Sequence, residues 1–63
     1  MPLIQVTMLE GRTPEQKRKI VERITTAMVE ETGTKREAVT VTIVDVPPSN
    51  YATGGVLVLD RGK

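Results

Sequence analysis

Two residues near the head of the chain could do chemistry without a cofactor: Pro2 and Arg12. Initiator methionine is ordinarily trimmed when the second residue is small, and proline qualifies. Removal of Met1 leaves the Pro2 nitrogen as a secondary amine at the start of an apolar segment. An α-amino group ordinarily titrates at about 7.7–8.0. An apolar pocket with a guanidinium nearby disfavours the charged form and lowers that value, giving a base poised near neutral pH. With Met1 retained, the same nitrogen is an amide and has no basic lone pair. Arg12 follows Gly11 in a turn, where its guanidinium can project near an oligomer interface and bind a carboxylate or enolate oxygen bidentately. Taken singly, each has an ordinary reading: an unremarkable second residue, and a solvated turn cation.

Other chemistries lack their residues. The chain has no Cys and no His, which removes disulfides, thiol nucleophiles, zinc fingers and the usual triads. Asp45 and Asp60 are too isolated in sequence to suggest a hard-metal cage, so no metal site and no cofactor are expected. Ser49 lies between Pro48 and Asn50 with no base nearby, and Gly54-Gly55 lacks the flanks of a phosphate loop. Nine basic and eight acidic residues give a net charge of +1, too balanced for a dedicated nucleic-acid binder. Tyr51 is the only aromatic, so base-stacking platforms are absent too. No stretch approaches the roughly 18 apolar residues of a membrane span. The start resembles no signal peptide, which makes a cytoplasmic protein the default expectation.

The elements that must position Pro2 and Arg12 are legible. Leu3–Leu9 reads as a strand with apolar residues on both faces, as in a buried parallel strand. Glu10-Gly11-Arg12 breaks it with a turn. Thr13-Pro14-Glu15-Gln16 is a helix start: Thr13 as N-cap, Pro14 at the first helical position, Gln16 closing a capping box, and Glu15 facing the positive end of the helix dipole. Ile20, Val21, Ile24, Ala27 and Met28 recur at helical spacing and make one apolar face, while Lys17, Arg18, Glu22, Arg23 and Glu30 lie opposite. Gly33 ends the helix. Val39–Val46 reads as a second strand, with Val39, Val41 and Ile43 on one side and Thr40, Thr42 and Val44 on the other. Strand, helix and strand at these lengths predict a right-handed βαβ unit with parallel strands. After the loop Pro47-Pro48-Ser49-Asn50, a tight turn at Gly54-Gly55 leads into a short strand over Val56–Leu59. The expected class is α+β: a single domain over residues 1–63, with one β-α-β unit and a short C-terminal β-hairpin.

Such a chain is too small to be stable alone. Ordering costs roughly 1.5 kcal/mol per residue, and a chain of this length buries only about 60% of its unfolded surface. Without Phe or Trp to fill a private core, and without disulfides or a metal, oligomerisation is the expected remedy. The C-terminal tail is expected to lie across a neighbouring subunit.

The run Met1-Pro2-Leu3-Ile4-Gln5-Val6-Thr7, then Leu9-Glu10-Gly11-Arg12-Thr13-Pro14-Glu15-Gln16-Lys17, resembles the 4-oxalocrotonate tautomerase family. Tyr51-Ala52-Thr53-Gly54-Gly55 is similar to that family's aromatic-then-Gly-Gly segment, and the likeness runs over nearly the whole chain. The resemblance implies β-α-β subunits that oligomerise through their sheets, commonly as hexamers, here a homohexamer with sites shared between subunits. It also implies cofactor-independent keto–enol tautomerisation of a small unsaturated 2-hydroxy or 2-oxo acid, in the family's usual setting of aromatic-compound breakdown. Pro2 would be base and proton shuttle. Arg12 would bind the carboxylate end and hold developing negative charge. Tyr51 would line an apolar pocket that keeps the amine neutral.

One position departs from the pattern. Relatives acting on dicarboxylates often carry a second arginine where this chain has Thr40, after Val39. Threonine offers one neutral hydrogen bond, and losing the charge-assisted contact costs roughly 1.5–3 kcal/mol of binding. The expectation is a monocarboxylate enol substrate, or poor activity on diacids that Thr40→Arg improves. Lys35, Arg36 or Arg61 of another chain are the candidate substitutes for the missing charge. Two alternatives stand beside the tautomerase: a hydratase or dehalogenase on the same scaffold, using a cationic proline as acid, and a non-catalytic subunit of a hetero-oligomer.

Overall fold

The structure is a computed structural model that describes residues 2–62. Met1, whose removal the proline chemistry requires, lies outside the described residues. Strand β1 (Leu3–Leu9), helix α1 (Pro14–Thr32) and strand β2 (Thr40–Val46) form the main unit, followed by the short strands β3 (Ala52–Thr53) and β4 (Val56–Leu57). β1 and β2 pair in parallel from Leu3↔Thr40 to Leu9↔Val46. β3 and β4 pair antiparallel across Gly54-Gly55, both with positive φ as a primed two-residue hairpin turn requires.

The helix begins as its first residues dictate. The Gln16 N–H donates to Thr13 Oγ1 at 3.1 Å, and the Thr13 N–H donates to Gln16 Oε1 at 3.0 Å, satisfying two donors the helix itself cannot. Pro14 occupies the first turn, where its missing N–H costs nothing. At the other end Gly33 adopts φ 73 and its N–H donates to the Val29 carbonyl at 3.0 Å. A left-handed cap of this kind strains any residue with a Cβ. Lys17, in the first helical turns, forms an ion pair with Asp45 of β2 and so pins the helix to the sheet.

Burial alternates along both strands. Ile4, Val6 and Met8 of β1 and Val41 and Ile43 of β2 are half-buried toward the helix, as are Ile20, Val21, Ile24, Met28 and Val29 of α1. The opposite sheet face, with Leu3, Gln5, Thr7, Thr40, Thr42 and Val44, is exposed. Leu3 is 66% exposed although it is a large apolar side chain. The expectation of a strand buried on both faces therefore needs correcting for the single chain, because one helix covers only one side of a two-stranded layer. No side chain among the described residues is fully buried. The radius of gyration is 14.9 Å, against about 11 Å for a compact chain of this length.

Two boundaries and one burial differ from the sequence reading. Val39 stands before β2, because its N–H is taken by the Arg36 carbonyl at 3.2 Å, closing the 3₁₀ turn Arg36–Ala38. Ala27 is exposed, at the margin of the apolar stripe rather than within it. The last strand stops at Leu57: after the Val58 N–H donates to the Tyr51 carbonyl, the chain opposite curls into the 3₁₀ turn Pro48–Asn50, and Val58–Asp60 forms a turn of its own.

Candidate active site

Pro2 is half-buried at the head of β1, and its carbonyl accepts the Thr40 N–H at 3.0 Å. That bond fixes the Pro2 backbone to the start of β2 and brings two of the candidate residues, Pro2 and Thr40, to one end of the sheet. Thr40 is exposed and shares the uncovered face with Leu3, its partner in the ladder.

Arg12 stands at the other end. β1 closes with the Glu10 N–H donating to the Val46 carbonyl at 2.9 Å, and Gly11 then turns the chain at φ 115. Only glycine adopts such a φ without strain, so Gly11 aims Arg12 into the space before the helix. A strand of seven residues spans roughly 23 Å. The structure thus separates Pro2 from Arg12 by the full length of β1, too far for one small substrate to touch both within one chain. Tyr51 is half-buried at the foot of the hairpin, where its carbonyl accepts the Val58 N–H at 2.8 Å, and it leaves the sheet from the same end as Arg12.

Arg12 is one wall of an open groove of about 350 Å³, with Gln16, Lys19, Ile20 and Arg23 of α1 as the rest of its lining. Sequence reasoning set Arg23 on the solvent face and gave Lys19 no role. The signal that marks both was their separation by one helical turn, on the flank beneath which the Gly11-Arg12 turn enters the helix. None of Arg12, Lys19 and Arg23 is in an ion pair among the described residues. Of the cations proposed to replace the missing arginine, Arg61 is committed to the hairpin, its Nη2 donating to the Thr53 carbonyl at 2.8 Å. Lys35 and Arg36 are exposed just before β2, at the Thr40 end. Among the described residues no cluster of three or more Asp, Glu, His or Cys is placed to hold a metal ion. No helix among them is long and apolar enough to cross a membrane.

A family described as tautomerase enzyme matches residues 2–61. The 2-hydroxymuconate tautomerase of Comamonas testosteroni is 43% identical over 63 residues, covering the whole of both chains. A structure of 4-oxalocrotonate tautomerase isozymes from Methylibium petroleiphilum superposes with a TM-score of 0.92 at 45% identity, covering 98% of this chain and 100% of that one. A heterohexamer 4-oxalocrotonate tautomerase from Chloroflexus aurantiacus gives a TM-score of 0.91 at 31% identity, covering 97% and 98%.

Proposed function

The chain belongs to the tautomerase family of isomerases, and from that premise we propose that it interconverts keto and enol forms of small unsaturated 2-hydroxy or 2-oxo acids without a cofactor, using the Pro2 amine exposed by loss of Met1. The neutral amine takes the proton of the substrate hydroxyl. The O–H electron pair becomes the carbonyl π bond, the double bonds shift along the chain, and the ammonium of Pro2 returns the proton to carbon. Arg12 holds the carboxylate and the negative charge that grows on the substrate as the proton leaves. Tyr51 excludes water, and Thr40 offers a neutral hydrogen bond at the Pro2 end.

The observation that carries this reading is the placement of Pro2 and Arg12 at opposite ends of β1. A second copy running the other way sets its Pro2 beside the first copy's Arg12, and two-fold symmetry makes a second such site. The same copy has reason to be there, since the uncovered sheet face and the extended hairpin leave no buried side chain among the described residues. We assign the assembly as a homohexamer, through the sheets. The heterohexameric relative keeps a mixed assembly as the competing arrangement, which the native mass of the product of one gene decides.

The decisive experiment pairs intact mass with turnover of an enol monoacid, phenylenolpyruvate, for the wild type and Pro2→Ala. Loss of Met1, with a rate drop of about a hundredfold or more in Pro2→Ala, is the expected result. A trimmed protein whose turnover is indifferent to Pro2 would remove the amine from the mechanism.

A further inference from the structure

The turn that presents Arg12 is fastened on both sides, and both fastenings land on adjoining residues of β2. Before the turn, the Glu10 N–H donates to the Val46 carbonyl; after it, the Lys17 ammonium pairs with the Asp45 carboxylate. Asp45 follows Val41 and Ile43 on the helix side of the strand, which brings its carboxylate under the first turns of α1. Little else holds the segment between. A Cβ at Gly11 would meet nothing beyond its chain neighbours within 4 Å, and Arg12 is exposed with no ion pair among the described residues. The capping box ties Thr13 to Gln16 but joins neither to the sheet. Of residues 14–19 only Lys17 is half-buried, and the first apolar side chain of the helix set toward the sheet is Ile20. The Lys17–Asp45 pair is therefore the contact that places the start of the helix, and with it the turn, on β2.

We propose that Lys17 and Asp45 are positioning residues for Arg12: their ion pair holds the turn where the guanidinium can meet an acid. Solvent screens such a pair, so its effect on stability is small. A loop ordered in advance loses less freedom on binding, however, and a contact that is weak in stability still raises affinity. Misplacing a group by about 1 Å can cost up to about a hundredfold in rate. The proposal rests on the reading of Arg12 as the partner of the substrate carboxylate. Lys17 and Asp45 touch no substrate in it. Asp45 takes up the charge of Lys17, whereas Lys19 and Arg23 line the groove unpaired.

The test uses the assembled protein and an unreactive monoacid, hexanoate. Lys17→Met and Asp45→Asn should each weaken hexanoate binding about fivefold, a part of what a charge-assisted contact contributes. Both should lower the amide order parameters of Gly11 and Arg12. Asp45→Asn keeps the size of the side chain, which guards against a Lys17→Met chain that fails to assemble. Lys17→Arg should restore binding and order, the double variant should be no worse than either single one, and Arg18→Met should match the wild type. The kcat/KM for phenylenolpyruvate should fall by the same factor with the midpoint of its pH profile unmoved, since Pro2 is not involved. In an Arg12→Ala chain, Lys17→Met should weaken hexanoate no further. Equal further weakening there would make the pair a general support of the assembly and overturn the proposal. So would variants whose turn is as ordered, and whose hexanoate binding is as tight, as in the wild type. Should Arg12→Ala alone leave hexanoate binding unchanged, the carboxylate reading of Arg12 falls, and the order of Gly11 and Arg12 still decides whether the pair holds the turn.

Discussion

A secondary amine serves as a base at neutral pH only where its charged form is disfavoured, and Pro2 is half-buried at the head of an apolar strand. In the proposed mechanism, desolvation there and the guanidinium of a partner copy's Arg12 disfavour the charged amine. With the neutral amine as the proposed base, kcat/KM should rise as pH rises through its titration and level off above it. On this mechanism the midpoint should fall below the ordinary α-amino value of about 7.7–8.0. A pH profile of kcat/KM for phenylenolpyruvate reads this directly. A midpoint well above 8, with activity on the acid side, would instead fit a proline that donates a proton, as a hydratase needs. Pro2 and Arg12 stand out in the sequence through the family resemblance, since taken singly one is an ordinary second residue and the other an ordinary turn cation. Lys19 and Arg23 were not legible as groove-lining residues. Helical spacing alone sets them on a polar flank and cannot say that the Gly11-Arg12 turn folds back to make that flank one wall of a groove.

At the scale of elements, local chemistry decided most of the outcome. β1 and the helix start follow from residue order, since an apolar run, a turn glycine and Thr-Pro-Glu-Gln leave few alternatives. The places where the reading slipped are those where a hydrogen bond between distant residues, rather than periodicity, sets the boundary. Val39 loses its place in the ladder to the Arg36 carbonyl, and Val58–Asp60 turns because the chain opposite it has already curled away. The cap at Thr13 adjoins the groove, because Gln16 belongs both to the capping box and to the groove lining. Thr13→Ala removes the acceptor for the Gln16 N–H and should cost about 1 kcal/mol of stability. Thermal unfolding at fixed protein concentration checks this, the concentration being held because assembly contributes to the midpoint. An unchanged midpoint would mean that packing of the assembled helices, and not the cap, holds the first turn. The Lys17–Asp45 pair, with side chains 31% and 36% exposed, contributes little beyond orientation, since solvent screens it.

The molecule is extended, with no buried side chain among the described residues, an uncovered sheet face, and Val56 and Leu59 exposed at 44% and 53%, a surface that fits the proposed assembly. Stability and catalysis then have one cause. In the proposed assembly, the contacts that would bury Leu3 and Val44 are those that would carry one copy's Pro2 to another's Arg12. This makes a prediction that no single-chain site can meet. Pro2→Ala and Arg12→Ala chains, each nearly inactive as a pure assembly, should recover activity when unfolded together and reassembled as a mixture. A site drawing its proline from an Arg12→Ala chain and its arginine from a Pro2→Ala chain has both groups intact. Random mixing in equal amounts supplies about a quarter of the sites in that form, because each of the two contributions has even odds of coming from the competent chain. Turnover of phenylenolpyruvate by the mixture, set against the two parents carried through the same refolding, measures it. A mixture no more active than the mean of its parents would place both residues in a site made by one chain, which the length of β1 forbids unless the strand itself rearranges.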